Sequence, residues 1–165
     1  MLKGFFGAAK QAKRDDAELG KGVWRRAHDR FRRGLDRFHQ MLEGLAETEP
    51  VAGQQAQATE NYEAMVVLAD ELADLLPVVR EIAAEAQKIA PSDGMEIPLG
   101  TGGYLNDVHR ELSRAGNSLA AAAEALALVR LGVGEVSGVV LKAGIVGQHV
   151  ALANDLLHKT SSTGG

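Results

Sequence analysis

The chain has 165 residues, a formal net charge of −4, and only one Trp, two Tyr and four Phe. That length suits one domain with its own core, built here from Ala, Leu, Val and Gly rather than from aromatic rings. The absence of cysteine excludes a disulfide framework, thiolate chemistry and Cys-based zinc or iron–sulfur centres, and it fits a reducing compartment, so the chain is expected to be cytoplasmic.

Charge is unevenly placed. Residues 1–40 hold 11 of the 18 Lys/Arg and 5 of the 22 Asp/Glu, leaving them at +6 and the remainder at −10. A basic first quarter on an acidic body points to an anionic partner, membrane or nucleic acid, or to pairing of the two parts within the fold or between copies.

Residues 1–20 form the first expected unit, a basic amphipathic helical segment. On a helical wheel Leu2, Phe5, Phe6, Ala9 and Ala12 share one arc, Lys3, Gly7, Lys10 and Arg14 the opposite one, and Lys13 sits near the border. A secretion signal needs an unbroken apolar run of about 7–15 residues, and Phe5-Phe6 is cut off at once by Gly7. Two expectations follow. The segment lies in a membrane interface, with Leu2, Phe5 and Phe6 inserted and Lys3, Lys10, Lys13 and Arg14 against anionic headgroups. Or it packs on its own bundle or on a second copy, continuing the next helix past Gly20-Lys21-Gly22.

Residues 21–160 are expected to form a four-helix bundle. Trp24, His28, Phe31, Leu35, Phe38, Leu42 and Leu45 step by four and three, the seam of an amphipathic helix over about Gly22 to Thr48. Its other faces carry Arg25, Arg26, Arg30, Arg32, Arg33 and Arg37, a basic surface for phosphate contacts or for ion pairs with nearby acids. Trp24 and the seam histidine His28 together mark a candidate small-molecule pocket, His28 being otherwise a hydrogen-bonded polar member of the seam.

After Pro50 and a Gln-rich turn, Tyr62, Met65, Ala69, Leu72, Leu76, Val79, Ala83 and Ala86 repeat the rhythm, with Leu68, Leu75, Ile82 and Ile89 as a second stripe. Pro77 lies inside this helix without changing its phase, which predicts a kink rather than a break, and Pro91 ends it. Residues 91–103 read as a loop. Leu105, Val108, Leu112, Ala115, Leu119, Ala122, Leu126 and Val129 mark a third helix, opened by a polar cluster of Asn106, Asp107, His109, Arg110 and Glu111 that mostly faces solvent. A turn at Gly132–Gly134 leads to a fourth helix with Val136, Val139, Ala143, Val146, Val150, Ala153 and Leu157 on its seam. The β-branched character of residues 136–150 leaves a strand as the alternative there. Gly138, Gly144 and Gly147 cost about 1 kcal/mol each in a helix and suit a neighbouring helix that packs closely. Residues 161–165 are expected as a flexible tail. No stretch is expected to span a membrane, because charges interrupt the apolar run from 119 to 157.

The fold class is therefore all-α: an antiparallel, up-down-up-down four-helix bundle with an additional N-terminal amphipathic segment. Chemistry-bearing patterns are weak. Asp36…His39 and Asp155…His158 have the carboxylate-x-x-His spacing of di-metal bundles, but both pairs flank the seam rather than occupy it. Gly132-x-Gly134 lies between helices, not in a βαβ unit, and no Lys-Ser/Thr follows Gly100–Gly103, so neither is a nucleotide loop. No metal, cofactor or catalytic residue is assigned. The expected function is a non-enzymatic helical interaction or scaffold protein, homo-oligomeric and docking on the inner membrane face through residues 1–20. The alternatives are a small-molecule-binding bundle near Trp24 and His28, and a nucleic-acid-associated factor using the arginine-rich helix.

Overall fold

The computed structural model describes the backbone of residues 2–98 and 103–163, and the side chains of 7–98 and 103–159. The described residues form five helices: α1 (Leu2–Leu19), α2 (Val23–Glu47), α3 (Gln55–Ile89), α4 (Tyr104–Arg130) and α5 (Val136–Thr163). The three-and-four spacing locates α2 to α5 to within a few residues of their ends, except at the start of α3. Val136–Val150 is helix, not strand. α3 runs without interruption through Pro77. α5 continues to Thr163, past the expected start of the tail at 161, because no helix breaker precedes Gly164.

The core is one cluster drawn mainly from the expected seams, joined by Leu19, Val23, Ala27, Ala90 and Ala123. It includes Trp24, Phe31 and Phe38 of α2, Met65, Leu72 and Ile82 of α3, Leu112, Leu119 and Leu126 of α4, and Val146, Val150 and Leu157 of α5. Small aliphatic side chains let the four helices close around it, and Ala83, Ala86, Ala115, Ala122, Ala123 and Ala153 are fully enclosed.

The closely packed pairs are α2/α3, α3/α5, α5/α4 and α4/α2, so α3 and α4, consecutive in the chain, do not pack side by side. Trp24 of α2 meets Ala90 just past the end of α3, and Leu45 of α2 shares a hollow with Thr59 and Tyr62 near the start of α3, so this pair runs in opposite directions. α2 and α4 run the same way, since Arg30 meets Asn117 and Arg37 meets Glu124 at one constant offset in sequence. α3 and α5 also run the same way: Leu68 to Leu75 line one groove with Val140 to Gly147, and Glu85 meets His158 further on. Direction thus alternates along the chain, while the ring contains two neighbour pairs of equal direction. The connection between α3 and α4 therefore joins helices that are not neighbours in the ring.

The expected continuation of α1 into α2 does not occur. Gly20 has φ +72, a left-handed backbone conformation that favours glycine, and the chain turns there. Gly22 packs against Ser92, whose carbonyl oxygen would lie 2.2 Å from an added Cβ. α2 has no side-chain cap of its own. Ser92 supplies one from across the fold, its Oγ accepting the Val23 N–H at 3.2 Å and donating to the Glu96 carbonyl at 2.8 Å. The loop after α3 is thereby pinned on the first turn of α2.

Candidate functional site

Three surfaces follow from this arrangement: the projecting α1, the outer face of α5, and a cleft between α2 and α4.

α1 is held to the bundle by its last turn. Leu19 is fully buried, and Asp15 is only 2% exposed. The Asp15 carboxylate accepts hydrogen bonds from Arg80 Nη1 at 2.7 Å and Gln11 Nε2 at 2.8 Å, with Arg25 at 3.8 Å and Arg32 at 4.0 Å. Glu18 takes a second contact from Arg80 at 2.8 Å, and Asp16 pairs with Arg25 at 2.7 Å. Burial alone would raise the Asp15 pKa. The hydrogen bonds from Arg80 and Gln11, with the charges of Arg80 and Arg25, outweigh it and hold the carboxyl below its ordinary value. Against the opposing effect of burial, hydrogen bonds to Asp16 and Asp29 hold Arg25 above its ordinary value, and hydrogen bonds to Asp15 and Glu18 do the same for Arg80.

Beyond this clamp, residues 7–14 of α1 are exposed throughout. Lys10, Lys13 and Arg14 have no carboxylate within 4 Å among the described residues. The remaining members of the expected contact face, Leu2, Lys3, Phe5 and Phe6, lie outside the residues whose side chains are described. Packing of the whole segment on its own bundle is thus replaced by docking of one end.

α5 presents apolar side chains outward as well as inward. Leu141 is 69% exposed, and Val140, Ile145 and Leu152 are 48, 37 and 45% exposed. A Cβ added at Gly138, Gly144 or Gly147 would meet nothing within 4 Å, so the close neighbour expected there is not supplied by the described residues of this chain. A groove of about 300 Å³ runs between α3 and α5, floored by Leu68, Leu72, Leu75 and Ala143. Val136–Lys159 has a mean hydropathy of 1.4 in its most apolar window, with 28% of that window buried. By length and composition it could cross a membrane, contrary to the expectation that no stretch could. Between Lys142 and Asp155 lie twelve residues with no formal charge, and these give the helix its long apolar stretch.

The expected basic surface of α2 divides in two. Arg25 pairs with Asp29 at 2.9 Å as well as with Asp16, Arg32 lies at 4.0 Å from Asp15, and Arg37 pairs with Glu124 at 3.0 Å. Arg26, Arg30 and Arg33 turn toward α4, where no carboxylate lies within 4 Å of them among the described residues. They line a cleft of about 310 Å³ with Val23, Ala27, Met95, His109 and Ser113. Arg26 donates to the Gly94 carbonyl and Arg30 to the Asn117 side-chain carbonyl. His109 is half-buried and makes a T-shaped contact with the Trp24 ring, centroids 5.6 Å apart. Burial, with a smaller contribution from the Arg26 charge, lowers its pKa.

The Trp24 and His28 pair does not share one cavity. Trp24 is fully enclosed, its indole N–H donating to the Ala90 carbonyl at 3.1 Å. His28, 3% exposed, borders a hollow of about 450 Å³ under α1 with Gln11, Arg32, Ala73, Leu76, Pro77 and Arg80. Its Nδ1 is 2.9 Å from Asp29, yet burial outweighs that carboxylate and lowers its pKa.

A buried residue also stands outside the expected sites. Glu111 is 5% exposed and lies 2.6 Å from His149 Nδ1 and 2.8 Å from Arg114 Nη1. It belongs to the polar cluster expected to face solvent mostly, but its place three after Val108 and four before Ala115 puts it on the inner flank. His39 bonds the Leu35 carbonyl and His158 pairs with Glu85. No group of three or more His, Cys, Asp or Glu is placed to hold a metal among the described residues.

His28 and His109 predict a pH dependence. A histidine with a lowered folded pKa binds its proton less readily than the unfolded chain does, so stability rises with pH across the interval just below the ordinary value of 6.5. Urea midpoints should therefore fall from pH 7.5 to pH 5, and His28→Gln should flatten that slope. Equal slopes in the variant and the parent would exclude His28 as a source. Comparison of the chain with protein-family models, with curated proteins and with solved structures found no match, so the functional reading rests on these surfaces alone.

Proposed function

We propose that this protein is a non-enzymatic helical interaction protein that self-associates and docks peripherally on an anionic membrane surface, on its cytoplasmic face, through α1. The observation that supports this reading is the exposure of α1 from Gly7 to Arg14 beyond a clamp confined to its last turn. The sequence adds Lys3 and the apolar Leu2, Phe5 and Phe6 to that projecting segment, which carries no acid before Asp15. A basic helix with an apolar arc is suited to the interface between headgroups and acyl chains. Insertion of three such side chains contributes roughly 1.5–3 kcal/mol each at best, so a single α1 binds weakly and reversibly. The apolar outer face of α5 supports self-association, which would present two copies of α1 to one surface and raise avidity without new contacts.

Co-sedimentation with vesicles tests the reading. The full chain should pellet with vesicles rich in phosphatidylserine and stay in solution with phosphatidylcholine alone. Deletion of residues 1–14, or Phe5→Glu with Phe6→Glu, should reduce pelleting at least tenfold while leaving the far-ultraviolet circular dichroism of the bundle in place. Equal pelleting of the full chain and the deletion variant would remove α1 as the contact element.

A further inference from the structure

We propose that the cleft between α2 and α4 is a binding site for a phosphomonoester group, with Arg26, Arg30 and Arg33 as its cationic wall and His109 and Ser113 as hydrogen-bonding partners on the facing helix. This goes beyond the membrane reading, because α1 docks on the α2/α3 side of the bundle and takes no part in the cleft.

The argument begins with how the arginines of α2 are neutralised. Arg25, Arg32 and Arg37 each have a carboxylate within 4 Å. Arg26, Arg30 and Arg33 have none among the described residues, although they occupy one flank at spacings of four and three. α4 faces them with groups that carry no counter-charge: His109, Ser113 and Asn117. Three like charges side by side repel one another, and a fold that pairs the remaining arginines of this helix leaves these three together at a concavity. An anion removes that repulsion.

The contacts already made orient the guanidinium groups without discharging them. Arg26 donates to the Gly94 carbonyl and Arg30 to Asn117, both neutral acceptors. Each guanidinium has five N–H donors, so most remain for a ligand. Three planar forks suit a group with several charged acceptor oxygens on one centre, which a phosphomonoester provides and a single carboxylate does not. The cleft, about 310 Å³, is at the small end of ligand sites. It accommodates a phosphoryl group and a short substituent, with Met95 offering an apolar contact from the loop that Ser92 pins in place.

The same chemistry is available from a soluble phosphorylated molecule or from a lipid headgroup. Trp24 is the single tryptophan of the chain and its ring touches His109, so its emission reports on the cleft. The full chain is titrated with glycerol 3-phosphate, with glycerol as the uncharged control, and separately with vesicles of phosphatidic acid in phosphatidylcholine. Trp24 emission is followed in both arms, with phosphorus NMR line broadening in the soluble arm. A saturable response to glycerol 3-phosphate that weakens at least tenfold in Arg30→Gln with Arg33→Gln, and persists after deletion of residues 1–14, identifies a soluble phosphomonoester as the ligand. A response to the vesicles alone, lost in the same double variant and kept after that deletion, identifies a lipid headgroup. Arg110→Gln, on the exposed side of α4, should respond as the parent does. Absence of a saturable response to either probe, or an equal response from the double variant with an unchanged thermal melt, would overturn the assignment.

Discussion

Asp15→Ala is expected to free α1 from the bundle and to lower the unfolding free energy by about 2–3 kcal/mol. Asp15 is the point where charges from α1, α2 and α3 meet. One buried carboxylate answers Arg80 at 2.7 Å and lies within 4 Å of Arg25 and Arg32. Removing one partner of a buried pair costs about 3–5 kcal/mol. The lower figure applies because Arg80 and Arg25 are partly exposed and keep Glu18, Asp16 and Asp29. Leu19 would remain buried, so the loss should concentrate in α1 rather than in the core. Amide exchange should become fast from Gly7 to Asp16 while α4 stays protected, and Asp15→Asn, which keeps acceptor oxygen but not charge, should fall between the two. The carboxyl sits below its ordinary pKa, so its contribution is present above the usual aspartate range and disappears as pH falls through the lowered value. A variant whose α1 amides exchange as slowly as the parent's would show that Asp15 does not hold this helix.

Trp24→Ala should cost about 3–5 kcal/mol, the ordinary range for emptying a large aromatic site in a close-packed core. Trp24 is fully enclosed and reaches three parts of the fold at once. Its indole N–H donates to the Ala90 carbonyl past the end of α3, its ring makes a T-shaped contact with His109 of α4, and it lies one residue after Val23, which is capped by Ser92. Trp24→Phe separates these contributions. It preserves most of the apolar volume and leaves the buried Ala90 carbonyl without its donor, which should cost about 1–3 kcal/mol. Urea titration of the parent and both variants at pH 7.5 checks the ordering. If Trp24→Phe proves as costly as Trp24→Ala, the hydrogen bond and not the packing dominates at this site.

Much of the fold was legible from spacing because burial acts on each helix through one repeated geometry. Leu35, Leu72, Leu119 and Val150 were all expected on their seams, and all are buried. Periodicity says nothing about which seam faces which. The diagonal placement of α3 and α4, and the parallel pairing of α2 with α4, depend on interhelical contacts and on a loop whose length permits more than one path. Periodicity also misled at Gly138, Gly144 and Gly147. Small residues signal close approach only when a partner is present, and here they face open space among the described residues.

The candidate sites divide in the same way. The exposed cations of α1 and the arginine content of α2 could be read from residue order, since a charge on the polar flank of an amphipathic helix stays near solvent wherever the helix packs. The fate of each charge could not. Arg25 and Arg26 are adjacent in sequence, yet one is enclosed by carboxylates from α1 and its own helix, and the other opens on a cleft with His109 and Ser113. Glu111 became a buried partner of His149 for the same reason. The amino-acid sequence by itself determined the helices, their apolar flanks and the basic character of the first forty residues, because these depend on neighbours within a few turns. Only the tertiary structure decided which arginines are neutralised, where α1 is clamped and which apolar face remains uncovered, because Coulomb attraction and burial depend on distances that close only when helices far apart in the chain come together.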